Sequence, residues 1–135
     1  RTPGLVLCGH VPDLTPYYER AVAAVTPLHS GGGTRLKVIE ALARGVPLVS
    51  TSFGVEGFGL RGGEEVLIAD DPAEFAAACL ALIRDADLRS RIAAAGLIKF
   101  MSSMTAGHCA DEVRALATRV MDVKPPLSNV EGGPL

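Results

Sequence analysis

An α/β fold built on a doubly wound parallel sheet is the architecture this sequence predicts, on three observations. Its short apolar runs, such as residues 46–51, are continuous and do not alternate, the pattern of strands buried on both faces. Stretches with helical spacing separate those runs, so strands and helices take turns along the chain. The 135 residues suit one ordinary domain, and at 48% apolar and 21% charged they can fill a core.

Taken in order, residues 5–8, ending at Gly9, read as a first buried strand. A brief helix over 14–20 follows Pro12-Asp13. Residues 22–28 form a second strand, the β-branched run 46–51 a third, and Val66-Leu67-Ile68 a fourth. Between the second and third strands, 34–44 shows helical spacing. Leu36, Ile39, Leu42 and Ala43 make its apolar stripe, while Lys37, Glu40 and Arg44 share another face. Gly45 fits the C′ position and Pro47 prevents continuation. Asp71-Pro72-Ala73-Glu74 starts the next helix, with Asp71 as N-cap and Pro72 in the first turn, and that helix runs to about Arg84. Another is expected from near Asp87 to Gly96. Cys109, Val113, Leu116 and Val120 fall on one helical stripe, so a terminal helix is expected, itself a candidate surface for self-association. Residues 124–135, with Pro125-Pro126, read as a frayed tail. The expected division is a domain over 1–101 and a terminal helix and tail over 102–135.

Composition excludes several classes. A net charge of −2 argues against a nucleic-acid binder, because phosphate backbones select strongly basic faces. Cys8, Cys79 and Cys109 are odd in number and lack CxxC spacing, so they read as thiols of a reducing compartment; a cytoplasmic location is expected, with no disulfide and no metal site. The longest uncharged apolar run, 75–83, is too short to span a membrane. Arg1 shows neither an initiator methionine nor a signal peptide, which predicts an internal piece of a longer protein.

Gly31, Gly32 and Gly33 follow Ser30 between a strand and a helix. Each glycine costs backbone entropy, and a ligand approaching bare backbone is one reason for three together. Helix starts favour acids, yet Arg35 and Lys37 occupy this first turn with no acid beside them, an arrangement that a bound anion would turn from repulsion to attraction. The alternative is a plain connection with solvated cations, helped by Glu40 three residues after Lys37 and four before Arg44. Both readings stay open on the residues alone. The turn is neither a Walker A, since no Gly-Lys-Ser/Thr ends it, nor a GxGxxG fingerprint, since Leu36 stands at the last glycine. Elsewhere, His10 and His29 sit at predicted strand ends on the ligand-facing edge. Asp70-Asp71 is a carboxylate pair, but capping explains Asp71 completely. His108-Cys109 has no second pair to make a metal site.

The stretch from His29 to Thr51, HSGGGTRLKVIEALARGVPLVST, resembles the donor-site signature of the retaining glycosyltransferases of glycogen- and sucrose-synthase type, the group 1 family. GHVPDL from Gly9, GVEG from Gly54 and VLIADD from Val66 resemble its flanking segments, in the correct order over roughly residues 4–98. The resemblance implies the Rossmann-like C-terminal half of a GT-B fold, lacking its first strands. It implies transfer of a hexosyl unit from a nucleotide diphosphate sugar to an acceptor held by a preceding N-terminal domain, with no further cofactor or metal. Glu40 matches the glutamate on the ribose hydroxyls, since a carboxylate accepts two O–H donors. Gly31, Gly32, Gly33 and Thr34 match the turn whose amides face sugar and diphosphate, with Arg35 and Lys37 stabilising the departing charge. Gly9, His10 and Val11 match the loop beside the base. Many members carry a second glutamate where this chain has Gly32, and Glu56 is the candidate to replace it. No catalytic residue is assigned, and the 135 residues alone are expected to be inactive. Gly32, and Met101-Ser-Ser-Met-Thr in a chain without tryptophan, leave room for a rival: a non-catalytic interaction domain that has lost donor binding.

Overall fold

The computed structural model of the protein describes residues 2–108 together with Ala110, Asp111, Ala115 and Thr118. Its elements are α1 (Thr15–Arg20), β1 (Ala24–Thr26), α2 (Leu36–Ala43), β2 (Leu48–Ser50), α3 (Ser52–Val55), β3 (Leu67–Ile68), α4 (Pro72–Arg84) and α5 (Ala86–Ser103). The three strands are parallel in the order β1-β2-β3, with Val25 opposite Val49 and Val49 opposite Leu67. Successive strand residues point to opposite faces. Leu48 therefore packs with Val38, Ala41, Leu42, Val55 and Val66 on one face, and Val49 with Leu82 and Ile92 on the other. Helix α2 covers the first face, α4 the second, and α5 touches both helices. The small open sheet, helix-covered on both sides, has the Rossmann-like α/β architecture that the continuous apolar runs predict.

Local chemistry sets several boundaries as expected. The Asp71 carboxylate accepts from the amides of Ala73 at 2.8 Å and Glu74 at 3.1 Å, starting α4. Asp85, which the sequence reading did not single out, caps α5 in the same way through Leu88 at 2.9 Å. Gly45 follows α2 at φ +63° as its C′ residue. Cys8 and Cys79 are free thiols, and burial pushes that of Cys79 up from its ordinary pKa.

Three expectations fail. Residues 5–8 are not a strand: Leu5, Val6 and Leu7 are 62%, 79% and 87% exposed, and they join no ladder. Apolar, β-branched composition makes a strand only where a neighbour supplies hydrogen bonds and cover, and this run has neither among the described residues. Helix α5 does not stop at Gly96 but continues to Ser103. A Cβ at Gly96 would lie 2.8 Å from Leu42 Cδ2 and 3.2 Å from the Glu65 carbonyl, so this glycine admits α2 close to α5 and does not cap a helix. The buried stripe of α2 is Val38, Ala41 and Leu42, whereas Leu36 is 59% exposed. The sheet and α5 meet α2 along that line, leaving Leu36 and Lys37 at its start outside the core. The stripe through Cys109, Val113, Leu116 and Val120, and the tail 124–135, lie outside the described residues.

Glu65 is an acid inside the fold, 6% exposed. Its carboxylate takes the Arg61 amide at 2.7 Å and the Arg61 guanidinium at 2.8 and 3.2 Å. The guanidinium hydrogen bond leads in holding its pKa below the ordinary value; burial opposes it, and the Arg61 amide bond and charge add to it.

Two measurements test this packing. Alanine for glycine in a free helix gains about 1 kcal/mol, but Gly96→Ala is expected to lower stability in urea by about 1–2 kcal/mol, since overpacking a close contact outweighs propensity. A stabilised variant would show that α5 stands clear of Leu42. Because folding depresses the Glu65 pKa, its contribution is present above the ordinary value of 4.5 and is lost as pH falls through the folded value. Glu65→Gln is therefore expected to be less stable near neutrality and to flatten the acid limb of a stability–pH curve.

Candidate functional site

Parallel strands leave carbonyl groups at their carboxyl ends, and in this fold class ligands bind beyond those ends. Here the ends of β1 and β2 are joined by a buried hydroxyl cluster. Thr26 Oγ1 donates to Ser50 Oγ at 2.7 Å, and the Ser50 proton has two carbonyl acceptors in reach, Thr51 at 3.0 Å and Thr26 at 3.3 Å. Thr51 Oγ1 donates to the Leu28 carbonyl and accepts from the Gly54 amide at 3.1 Å. A Cβ at Gly54 would collide with Ser50 Oγ. The cluster supplies donors where water is excluded, and it tethers the chain after β1 to the end of β2. Sequence reasoning passed over it. The signal was Ser50-Thr51-Ser52, three hydroxyls in a row at the carboxyl end of an apolar strand.

From that tether the chain enters the glycine turn. Gly31 and Gly33 have φ of +127° and +109°, a region that side-chain-bearing residues rarely adopt, whereas Gly32 has no such angle. A Cβ at any of the three would meet nothing within 4 Å. Helix α2 then starts with Arg35 at its N-cap, no side-chain cap bond and no acid in its first turn. A cleft of about 440 Å³ lies here, lined by residues 25–28, 30–37 and Phe53. It brings together Gly31, Gly32, Gly33, Thr34, Arg35 and Lys37.

Arg35 is already engaged. Its guanidinium stands 3.7 Å from the Glu56 carboxylate, donates to the Glu56 carbonyl at 3.3 Å, and lies 4.6 Å from the Phe53 ring centroid. The Glu56 side chain is 72% exposed, so water screens the pair. Such pairs contribute only about 0.2–1 kcal/mol. Glu56 thus meets the cation of the turn.

The remaining predicted residues are distributed elsewhere. Gly9 and Val11 line a second cleft of about 590 Å³, with Tyr17 and Tyr18 in its wall and Lys37 shared with the first. His10 is exposed and lines neither cleft. Glu40 is half-buried and lines neither; its Oε2 accepts from the Tyr18 hydroxyl at 3.2 Å. No ion pair joins Glu40 to Lys37 or Arg44 among the described residues. Arg44 instead lies 5.1 Å from the Tyr18 ring centroid and donates to Thr15 Oγ1 at 3.2 Å.

The Asp70-Asp71 pair has structural work on both members. Asp70 accepts from the Ser52 amide at 2.8 Å and hydroxyl at 2.9 Å, bonds that hold its pKa below the ordinary value, with nearby His29 a smaller cause. Among the described residues no group of three or more His, Cys, Asp and Glu could hold a metal ion. No helix of the described residues is long and apolar enough to cross a membrane.

The turn makes a prediction from backbone geometry. Gly31→Ala and Gly33→Ala force a side chain into left-handed φ and are expected to lower stability by more than 1 kcal/mol. Gly32→Ala is expected to be neutral or to stabilise by about 0.4–1 kcal/mol, through the unfolded chain. Urea unfolding of the three variants checks the order; equal effects at all positions would refute it.

Comparison with known proteins bears on the same segment. The family model for glycosyl transferases, group 1, matches residues 1–85, which include the glycine turn, all of α2 and the hydroxyl cluster. An uncharacterised 44.6 kDa protein in the cps region of Klebsiella pneumoniae is 36% identical over 64 residues, 47% of this chain. The match spans only 16% of that relative's length. With the family model covering well over half of its residues, the chain belongs to the group 1 glycosyltransferase family.

Proposed function

We propose that the cleft beyond β1 and β2 is the donor site of a GT-B glycosyltransferase, and that it takes a nucleoside diphosphate sugar. The observation that carries this reading is the alignment of three features on one cleft: the glycine turn, the uncapped start of α2, and the cations Arg35 and Lys37 without an acid in the first turn. The positive end of a helix dipole and two cations together favour a multiply charged anion. In glycosyl transfer, negative charge develops on the departing diphosphate, so the same groups stabilise the product side of the reaction. Arg35 would leave a weak, screened partner in Glu56 for a stronger one.

Glu40 takes the ribose hydroxyls in this reading. Tyr18 occupies Oε2, and a carboxylate accepts several donors, so capacity remains. Gly9, His10 and Val11 lie beside the base in this reading, Gly9 and Val11 in the wall of the second cleft. Hexosyl transfer, an acceptor bound by another domain of the parent protein, a cytoplasmic site of action and chemistry without a metal complete the proposal. Two observations favour the rival, a non-catalytic interaction domain: Arg35 and Glu40 both have partners within the fold, and Gly32 offers no carboxylate.

Titration with UDP and GDP distinguishes the two. Weak binding by the 135-residue chain is expected, reduced about tenfold or more in Glu40→Ala, because a hydrogen bond to a charged group contributes about 1.5–3 kcal/mol. The chain alone is expected to turn over no sugar nucleotide. An absence of binding that persists in a longer protein extended upstream would overturn the donor site in favour of the interaction domain.

A further inference from the structure

Glu40 stands on a face of α2 where its helix neighbours do not fix it. A long acidic side chain loses about 1.5–2 kcal/mol of rotamer entropy when it is held for a ligand. What holds it here comes from α1. The Tyr18 ring packs against the core cluster that α2 shares with Leu48, and its hydroxyl donates to Glu40 Oε2 at 3.2 Å. Tyr18 is itself braced: the Arg44 guanidinium lies 5.1 Å from its ring centroid and is anchored to Thr15 at 3.2 Å. Burial first, then the Glu40 charge, raises the phenol pKa, so the hydroxyl stays a donor throughout the physiological range. The same ring lines the second cleft beside Gly9 and Val11.

We propose that Tyr18 is a positioning residue of the donor site, its phenol fixing one carboxylate oxygen of Glu40 so that the other is presented to the ribose hydroxyls. The proposal rests on the reading of Glu40 as the ribose ligand. It couples the two clefts: the ring that borders the base loop also orients the carboxylate that grips the sugar of the nucleoside. A rigid aromatic with two rotatable bonds does this at lower entropic cost than a flexible partner on α2.

Tyr18→Phe removes one oxygen and keeps the ring, its packing and the Arg44 contact. Nuclear magnetic resonance titration of the 135-residue chain with UDP and with 2′,3′-dideoxy-UDP supplies the test. Wild type is expected to prefer UDP. In Tyr18→Phe, affinity for UDP falls about three- to tenfold, the size expected for one hydrogen bond, while affinity for the dideoxy ligand is unchanged. In a Glu40→Ala background the Tyr18→Phe change has no further effect on UDP. Equal weakening for both ligands, or no weakening, overturns the role of Tyr18 while leaving the ribose reading in place. A wild type that binds both ligands equally, or that binds neither even when extended upstream, overturns the ribose reading and this proposal with it.

Discussion

Strand β2 is hydrogen-bonded on both sides and covered on both faces, and the rest of the structure is arranged around that double burial. Leu48 and Val49 are each fully buried, one under α2 and the other under α4. With neighbours on both edges, β2 has no freedom to slip: a shift of one residue would exchange its two faces and unpair both ladders. The carboxyl end of β2 is therefore a fixed point. Ser50 and Thr51 stand on it, and through them the chain leaving β1 is fixed as well. The glycine turn starts from an anchored position for this reason, and its two left-handed glycines then aim the start of α2.

A second constraint runs through α2. Its buried line, Val38, Ala41 and Leu42, faces the sheet and α5, and Gly96 lets the two helices approach closely. That packing leaves the first turn of α2, with Arg35 and Lys37, at the mouth of the cleft and places Glu40 against α1. Stability and recognition thus draw on different residues of one short helix. The core holds the axis, while Arg35 is engaged by a weak, screened pair with Glu56 that a ligand can replace, and Glu40 is held through one oxygen by Tyr18.

Family membership and geometry contribute different things. Membership in group 1 establishes a glycosyltransferase lineage. The geometry supports an anion-seeking cleft where this fold class binds its ligands. It also changes the standing of Gly32, whose backbone needs no glycine and whose surroundings leave room for a side chain. The lack of a carboxylate at that position is therefore not forced by sterics. Glu56 approaches the turn from α3 but meets Arg35 there, a cation and not open space.

Legibility in the sequence followed the range of the forces involved. Caps and turns are local, so Asp71, Gly45 and the start of α4 could be read directly, as could the parallel α/β class from its continuous apolar runs. The glycine turn with its unopposed cations was visible for the same reason. Three features were decided only by contacts between distant segments. Residues 5–8 have a strand's composition but no ladder, because pairing requires a neighbour that composition does not specify. Gly96 has a helix-stopper's identity but sits inside α5, because the nearness of Leu42 sets its role. Tyr18 has nothing in its local sequence to tie it to Glu40, 22 residues away, until α1 packs on α2. By itself the sequence determined the fold class, the start of α4 and the glycine turn between a strand and a helix. Tertiary structure alone decided which side chains restrain Arg35 and Glu40, since those partners meet only when the sheet brings separate helices to one edge.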